Sequence, residues 1–253
     1  MSDVRIVTAG VIVIGNEILS GRTKDLNLGY LATGLTEIGI RLLEGRFIPD
    51  VEATIIATLN EMRDKYDYVF TTGGIGPTHD DITAASVAKA FGVPLILNPV
   101  AARLLTDHYG AENLTEARMR MAHTPEGARL IDNPVSVAPG FEIGNVFVLA
   151  GVPRICQAMF DGLKGALKGG DPVFSRTVSG HIGEGVIAKD LGALQDRYPV
   201  LEIGSYPFFR QGKFGASFVI RGTDKTTIDR AAQELHTIIR NLGADPIDGE
   251  PLA

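Results

Sequence analysis

The sequence predicts an α/β domain with a mostly parallel sheet, followed by a small C-terminal α+β domain. Apolar, β-branched runs alternate with stretches of helical periodicity through the first part of the chain, which is typical of parallel strands covered by helices. The segment Lys168–Pro172 has the composition of a linker. The pattern beyond it changes to β-α-β-β-α, which is typical of a compact α+β unit. We therefore expect domains at residues 1–170 and 171–253.

The first three strands are predicted from their apolar runs. Ile6–Ile14 is apolar at nearly every position, which suits a strand buried on both faces. Leucines at helical spacing then predict a helix that ends at Gly39, and strands are expected at Arg41–Ile48 and Tyr68–Thr72. Asp50 is expected to begin the helix between these two strands as its N-cap.

The later elements follow from the same reasoning. Thr83–Phe91 is predicted as a helix with Gly92 as its C-terminal cap. Helices are also expected at Pro99–Tyr109, Leu114–Ala122 and Gly151–Leu167, an irregular segment at Thr124–Gly140, and a strand at Asn145–Ala150. The second domain is expected to contain strands at Val173–Ser179, Val200–Ile203 and Phe214–Arg221, with helices at Glu184–Tyr198 and Lys225–Leu242.

Composition narrows the class of protein. The formal net charge of −6 argues against a nonspecific nucleic-acid binder, so no direct nucleic-acid partner is expected. Cys156 is the only cysteine, which excludes an intramolecular disulfide and suits a reducing compartment. Its neighbours on the predicted helix are apolar, so we expect Cys156 to be a core residue. We find no apolar run that could span a bilayer and no signal-peptide pattern, so we expect a cytoplasmic protein with no membrane partner.

A glycine-rich loop joins the third strand to the next helix. Glycines let the backbone approach a ligand and turn its N–H groups toward it, and the helix N-terminus adds a partial positive charge. Ligands of open parallel sheets bind at the carboxyl ends of the strands. A phosphate cradle is therefore predicted, with ligand contacts from Thr72, Gly73, Gly74, Gly76, Pro77 and Thr78. The loop has neither a P-loop nor a G-x-G-x-x-G spacing, and a purely structural turn is the alternative.

Carboxylates follow the first two strands or end the loop after the third: Glu17, Asp25, Asp50, Asp80 and Asp81. Mg²⁺ beside a phosphate is usually held by one or two carboxylates together with the phosphate oxygens. A divalent metal is therefore predicted, with Asp50, Asp80 and Asp81 as its ligands. The alternative is that Asp50, and one of Asp80 and Asp81, cap the helices that follow them. His79 lies within the loop and is a candidate for ligand contact or proton transfer.

These residues resemble a known signature. The segment Thr72–Thr83 looks like that of the molybdopterin-binding-like family, which includes the MogA, MoaB and CinA proteins and the N-terminal domain of eukaryotic FAD synthase. Gly15–Gly21 with Asp25–Asn27 resembles the first-strand motif of the CinA and FAD-synthase branches. Gly151–Pro153 resembles their later proline-rich motif, and Ile203–Pro207 a motif in their small appended domain. The resemblance covers nearly the whole chain.

The resemblance implies a three-layer α/β/α fold and a site that grips a pyrophosphate-linked ligand. Asp50 and Asp81 match the two acidic positions tied to chemistry in the molybdenum-cofactor branch, and Glu17 and Asn27 fall among the implied ligand contacts. Asn16 stands where many relatives have Asp, which removes one candidate metal-ligand charge.

The activity implied by the resemblance is metal-dependent cleavage of nucleotide pyrophosphates such as ADP-ribose or FAD. The implied cofactor is Mg²⁺, Mn²⁺ or Co²⁺, with K⁺ as an accompanying ion. Two alternatives stay open: molybdenum cofactor biosynthesis, through molybdopterin adenylylation or molybdate insertion, and a non-catalytic module that binds a nucleotide or pterin. Relatives assemble with themselves, so a homo-oligomer, a dimer or trimer, is expected.

Overall fold

A computed structural model of the chain describes residues 6–110, 112–210 and 212–250. Residues 1–170 and residues 171–253 form two compact units. The elements of the first unit are β1 (Val7–Ile14), α1 (Asn16–Leu19), α2 (Asn27–Glu37), β2 (Ile40–Ile48), α3 (Glu52–Lys65), β3 (Tyr68–Thr72), α4 (Thr83–Phe91), β4 (Leu95–Leu97), α5 (Pro99–Tyr109), α6 (Glu116–Arg120), β5 (His123–Pro125), β6 (Arg129–Ile131), β7 (Gly140–Ile143), β8 (Val146–Leu149) and α7 (Pro153–Lys164).

The main sheet of the first unit has the strand order β2-β1-β3-β8-β7-β6. The strands β2, β1, β3 and β8 are parallel, whereas β7 and β6 continue the sheet in antiparallel pairs. The carboxyl ends of the four parallel strands therefore meet at one edge of the sheet. The predicted mostly parallel sheet is confirmed.

Two apolar cores lie on opposite faces of this sheet. Val11 and Val13 of β1 belong to one core together with residues of α2 and α7, and Ile12 and Ile14 belong to the other together with residues of α3 and α4. A strand that is apolar on both faces can be covered only by helices on both sides. The predicted three-layer α/β/α arrangement is confirmed.

Cys156 lies on α7 within the first of these cores and is fully buried. Burial, reinforced by the negative charge of Asp25, raises the pKa of its thiol to about 12. The thiol therefore stays protonated at neutral pH and acts as a small apolar side chain, as expected from the sequence.

Most differences between the predicted and the observed elements concern short strands. The strands β4 and β5 pair with each other, and β6 and β7 extend the main sheet, although the segment Thr124–Gly140 was expected to be irregular. Each has only three or four residues. A run of that length is too short for apolar alternation to show in the sequence.

The second unit has the predicted β-α-β-β-α order and one additional strand. Its elements are β9 (Phe174–Gly180), α8 (Glu184–Arg197), β10 (Glu202–Arg210), β11 (Lys213–Gly222), α9 (Lys225–Asn241) and β12 (Pro246–Asp248). They form an antiparallel sheet in the order β10-β11-β9-β12, with α8 and α9 sharing its core. β10 extends well past the predicted Val200–Ile203 because its pairing with β11 continues from Glu202–Arg221 to Arg210–Lys213.

Glu44 on β2 offers a test of the packing at one sheet edge. Its carboxylate accepts hydrogen bonds from the hydroxyl of Tyr66, from Lys65 and from Arg46. These bonds, led by that of Tyr66, lower the pKa of Glu44 from 4.5 to about 2. We expect Glu44→Gln to lower the free energy of unfolding at neutral pH by about 1–3 kcal/mol, the range for hydrogen bonds to a charged group.

The pH dependence of this loss follows from the lowered pKa. A carboxylate whose pKa is depressed by folding stabilises the native state above its unfolded pKa, so the difference between wild type and Glu44→Gln should shrink as the pH falls from 4.5 to about 2. Glu61→Gln is the matched control, because Glu61 pairs with the same Arg46 but its side chain is 57% exposed. Urea denaturation at several pH values measures the free energy of unfolding of both variants. Equal losses of stability in Glu44→Gln and Glu61→Gln would contradict the prediction.

Candidate functional site

Gly73 directly follows β3 and fixes the start of the loop. Its N–H donates to the carbonyl oxygen of Leu149 on β8 at 3.2 Å, which extends the β3–β8 pairing by one residue. Its φ is +102°, and a Cβ at this position would lie 2.2 Å from the carbonyl oxygen of Ile14 on β1. Only glycine accommodates both the backbone conformation and the close approach of the neighbouring strand.

Thr83, the first residue of α4, anchors the loop from the other side. Its backbone N–H donates to the carbonyl oxygen of Gly74 at 3.0 Å, and its hydroxyl donates to the carbonyl oxygen of Gly73 at 3.0 Å. Gly74 has a φ of +69°, and a Cβ there would lie 2.2 Å from the Thr83 hydroxyl oxygen. A larger side chain at Gly74 would therefore collide with Thr83 before it reached a ligand.

Asp81 closes the loop on itself. Its Oδ2 accepts hydrogen bonds from the backbone N–H of Thr78 at 2.7 Å and from the Thr78 hydroxyl at 2.6 Å. Within the described part of the chain, no donor bonds to Oδ1. α4 begins after Ile82 and has no side-chain cap, so the alternative in which Asp80 or Asp81 caps this helix is wrong. The loop needs the Asp81 carboxylate for its own turn instead.

Asp80 lies beside this turn and is ionised at neutral pH. Hydrogen bonding to Thr78, followed by that to its own backbone N–H, lowers the pKa of its carboxyl group. The Thr78 hydroxyl thus interacts with both carboxylates, and its 2.6 Å hydrogen bond goes to Oδ2 of Asp81. Two carboxylates therefore lie together at the end of the loop, which concentrates negative charge there.

The amino end of α4 is open. The N–H of Thr83 is used by Gly74, but those of Ala84 and Ala85 belong to the first turn, which has no intrahelical acceptors. No side chain among the described residues caps them. Uncapped N–H groups at a helix N-terminus attract anions, because the helix dipole adds to their partial positive charge.

A cavity of about 250 Å³ lies against this helix end. It is lined by Gly74, Ile75, Gly76, Asp81, Ala84, Ala85, Leu95, Arg120, Met121, His123, Pro139 and Phe141. Three residues that the sequence assigned to the site, Gly74, Gly76 and Asp81, are among them. A Cβ on Gly76 would lie 2.6 Å from Oδ2 of Asp81, so the loop is also close-packed at this point.

The other predicted loop residues lie outside the lining of this cavity. Pro77, Thr78, His79 and Asp80 are exposed, and the His79 side chain is 94% accessible. Thr72 is buried, and its hydroxyl has no hydrogen-bond partner among the described residues.

Asp50 contacts a different element from the one expected. Its Oδ2 accepts a hydrogen bond at 2.8 Å from the backbone N–H of Asn16, the first residue of α1. α3 begins after Val51 without a side-chain cap, so the prediction that Asp50 caps this helix is wrong. The parallel pairing of β1 with β2 explains the difference, since it places the residue after β2 beside the start of α1.

Glu17 and Asn27 also lie outside the cavity lining. Glu17 is an exposed residue of α1, whereas Asn27 is buried and donates through Nδ2 to the carbonyl oxygen of Gly151 at 2.8 Å. Asp25 accepts hydrogen bonds from the N–H groups of Asn27 and Leu28 at the start of α2. These contacts hold the segments that follow β1 and β8.

The acidic residues do not form a complete metal site. Across residues 6–110, 112–210 and 212–250, no group of three His, Cys, Asp or Glu side chains is placed to hold a metal ion. A cation at the loop would need further donors from a ligand or from water. Mg²⁺ commonly binds proteins in this way, through one or two carboxylates and substrate phosphates.

Arg120 and His123 are the residues that sequence reasoning missed. Arg120 ends α6 and His123 begins β5, and both line the cavity opposite the loop. No local pattern marks either residue. They reach the cavity through the antiparallel pairing of β4 with β5, which joins Leu97 to His123.

No helix in the described ranges is both long enough and apolar enough to cross a membrane.

Comparison with known proteins adds two family matches. Residues 10–169 match the model of the family described as a probable molybdopterin binding domain. Residues 172–244 match the model of the FAD synthase middle domain.

Individual relatives agree with these matches. A protein of Pyrobaculum calidifontis is 40% identical over 161 residues, which covers 61% of this chain and 62% of the relative. A protein of Archaeoglobus fulgidus is 31% identical over 231 residues, covering 91% of this chain and 97% of the relative. The match with the Pyrobaculum protein thus spans about three fifths of its length.

A solved structure resembles part of the chain. The crystal structure of the protein CinA, of unknown function, from Thermoplasma acidophilum has a TM-score of 0.60 and 34% sequence identity. The match covers 64% of this chain and 98% of that one. The chain therefore belongs to the family described as the probable molybdopterin binding domain, in a CinA-like form that carries an FAD synthase middle domain.

Proposed function

We propose that this chain is a metal-dependent nucleotide pyrophosphatase, acting on ADP-ribose- or FAD-type substrates in the cavity beside the loop. The observation that carries the proposal is the uncapped amino end of α4. Ala84 and Ala85, whose N–H groups belong to this helix end, line the same cavity as Gly74 and Gly76. Partial positive charge and close backbone approach in one concave place favour a phosphate group.

Asp81 supplies the reactive carboxylate in this proposal. Its Oδ2 is engaged by Thr78, which fixes the orientation of the side chain and leaves Oδ1 without a protein donor in the described structure. A carboxylate and a phosphate repel each other, so a cation between them is needed for both to be ionised. Asp81 and the adjacent Asp80 are the residues that would hold it, while phosphate oxygens and water complete the coordination.

The loop, α4, Asp81 and the cation would each have a separate role. The loop and α4 bind and orient the pyrophosphate through backbone N–H groups. Asp81 holds its charge at a fixed position beside the phosphate. The divalent cation, when bound, would neutralise phosphoryl charge and lower the pKa of a water molecule. Mg²⁺, Mn²⁺ and Co²⁺ all suit oxygen donors, and K⁺ is the additional ion to test.

Release of AMP tests the proposal directly. Purified protein should convert ADP-ribose or FAD to AMP in the presence of Mg²⁺, Mn²⁺ or Co²⁺, with and without K⁺, as measured by chromatography. EDTA should abolish AMP release, because the acidic residues alone leave the charge of the phosphoryl group uncompensated. The same metals without protein are the control. No AMP with any metal would contradict the proposal.

The family description favours a second candidate, a role in molybdenum cofactor biosynthesis with molybdopterin as the ligand. The same loop and cavity would then bind the phosphate of the pterin. If the chain has this role, its expression in a strain deficient in the cofactor should restore molybdoenzyme activity. No restoration would reject the role in cofactor biosynthesis.

A non-catalytic binding module is the remaining alternative. Nucleotide binding without any turnover, unchanged in Asp81→Asn, would favour it.

A further inference from the structure

Residues 95–125 form an excursion between α4 and β6, composed of β4, α5, α6 and β5. Its two ends are joined by the antiparallel pairing of Leu95 with Pro125. An apolar cluster lies within it, built around the fully buried residues Ala101, Leu105 and Ala122, with Leu130 and Ala138 from outside the excursion packed against it. The excursion is thus a small folded body whose β5 side faces the cavity.

The two sides of the cavity differ in chemistry. The loop side offers backbone N–H groups, which bind phosphate of any origin. The excursion instead contributes side chains, namely Leu95, Arg120, Met121 and His123. Side chains on this wall can therefore distinguish among ligands that share a phosphate.

Arg120 has the properties of a ligand-binding group. It is exposed at the cavity and makes no hydrogen bond or ion pair with any residue that the structure describes. Arg118, two positions earlier, has a structural role instead: it donates to the carbonyl oxygen of Asn113 at 2.5 Å and lies over the ring of Tyr109 at 4.3 Å. Only one of these two α6 arginines is thus held by the protein itself.

The position of Arg120 is fixed by its helix. The hydroxyl of Thr115 accepts from the N–H of Arg118 at 3.2 Å and so caps α6. Ala122, just after the helix, is fully buried and its carbonyl oxygen accepts from the N–H of Asn98 at 2.9 Å. The backbone on both sides of Arg120 is thereby anchored, so its guanidinium can reach the cavity with little reorganisation.

We propose that Arg120 is a specificity-determining residue that binds a second phosphate of the ligand, while the first lies at the amino end of α4. This inference rests on the proposed nucleotide site. A guanidinium matches phosphate bidentately, which an ammonium cannot do. The apolar wall, which includes Ile75, Met121 and Phe141, suits a planar ring. The ligand class is therefore a nucleoside diphosphate or its ester, in preference to a monophosphate.

The volume agrees with this ligand class. Sites that enclose a whole drug-sized ligand have volumes of about 300–1,000 Å³, whereas this cavity measures about 250 Å³. A cavity of this volume is too small to enclose a whole dinucleotide, so part of such a ligand would extend outside it. Arg120 is exposed where it lines the cavity, so its guanidinium is accessible to a phosphate that joins the two halves.

Binding of ADP and AMP to wild type and variants, measured by calorimetry in buffer with saturating Mg²⁺, tests the inference. Wild type should bind ADP more tightly than AMP. Arg120→Ala should weaken ADP binding by about tenfold or more and AMP binding much less, because one charge-assisted contact is lost. Arg120→Lys should recover part of the ADP affinity. Arg103→Ala on α5 is the matched control, since it removes the same charge outside the cavity lining and should leave both affinities unchanged.

The outcomes separate this inference from the proposed function. ADP affinity unchanged in Arg120→Ala, or equal losses for ADP and AMP, would overturn the role of Arg120 even if wild type releases AMP from ADP-ribose. A wild-type protein that binds neither nucleotide and releases no AMP would overturn both. Circular dichroism of each variant verifies that the protein stays folded.

Discussion

Asp81→Asn is expected to reduce AMP release from ADP-ribose at least about 100-fold while leaving the fold intact. The amide oxygen of asparagine can take the place of Oδ2 and keep both hydrogen bonds from Thr78. The charge beside the phosphate is lost, however, and removal of a positioned acid–base or charge-stabilising group costs about 10²–10⁴-fold in rate. Steady-state rates at saturating metal measure the effect, with the unfolding transition as the test of the fold.

Two further variants separate charge from loop structure. Thr78→Ala removes the hydroxyl donor but keeps the Asp81 charge, so it should impair turnover less than Asp81→Asn does. Asp50→Asn removes the other acidic residue that the resemblance assigned to catalysis, although the structure shows it at the start of α1. A wild-type rate for Asp81→Asn together with a low rate for Thr78→Ala would show that Asp81 serves only the turn.

Gly73→Ala is expected to lower the free energy of unfolding by about 3 kcal/mol or more. Two costs add here. The left-handed φ of +102° strains any residue with a Cβ, and such strain costs about 1–3 kcal/mol. The Cβ would also lie 2.2 Å from the carbonyl oxygen of Ile14, and forced overpacking of this kind costs about 1–3 kcal/mol more. Urea denaturation measures the sum.

Gly92→Ala is the matched control for the cost of the close contact with Ile14. Gly92 has a φ of +67°, yet nothing lies within 4 Å of a Cβ built there. Its loss should be only about 1 kcal/mol, the cost of a left-handed backbone alone. If the two alanine variants lose the same stability, the contact between β1 and the loop is not what requires glycine at position 73.

Much of the first unit could be predicted from the sequence because the signals are local. The run of β1 is apolar at consecutive positions, and the alternation of its side chains between two cores follows from strand geometry. Gly92 caps α4 in the left-handed conformation, as predicted. The glycines of the loop were likewise identified from their sequence, since a positive φ is a property of one residue.

The partners of polar side chains could not be predicted in this way. Asp50 was expected to cap the helix next to it in the chain but bonds to Asn16, which the pairing of β2 with β1 brings beside it. β12 was not expected at all, and it exists through its pairing with β9. Contacts of this kind depend on strand order, which apolar periodicity does not encode.

The sequence by itself determined the class of fold, the loop and its family, because apolar periodicity, glycine spacing and a specific motif are all readable along the chain. The tertiary structure alone decided which of the predicted residues share the cavity, Gly74, Gly76 and Asp81, and added Arg120 and His123 from the far wall. The physical reason is distance along the chain. Residues 74–81 meet residues 120–123 only after β4 and β5 pair and the excursion packs beside α4.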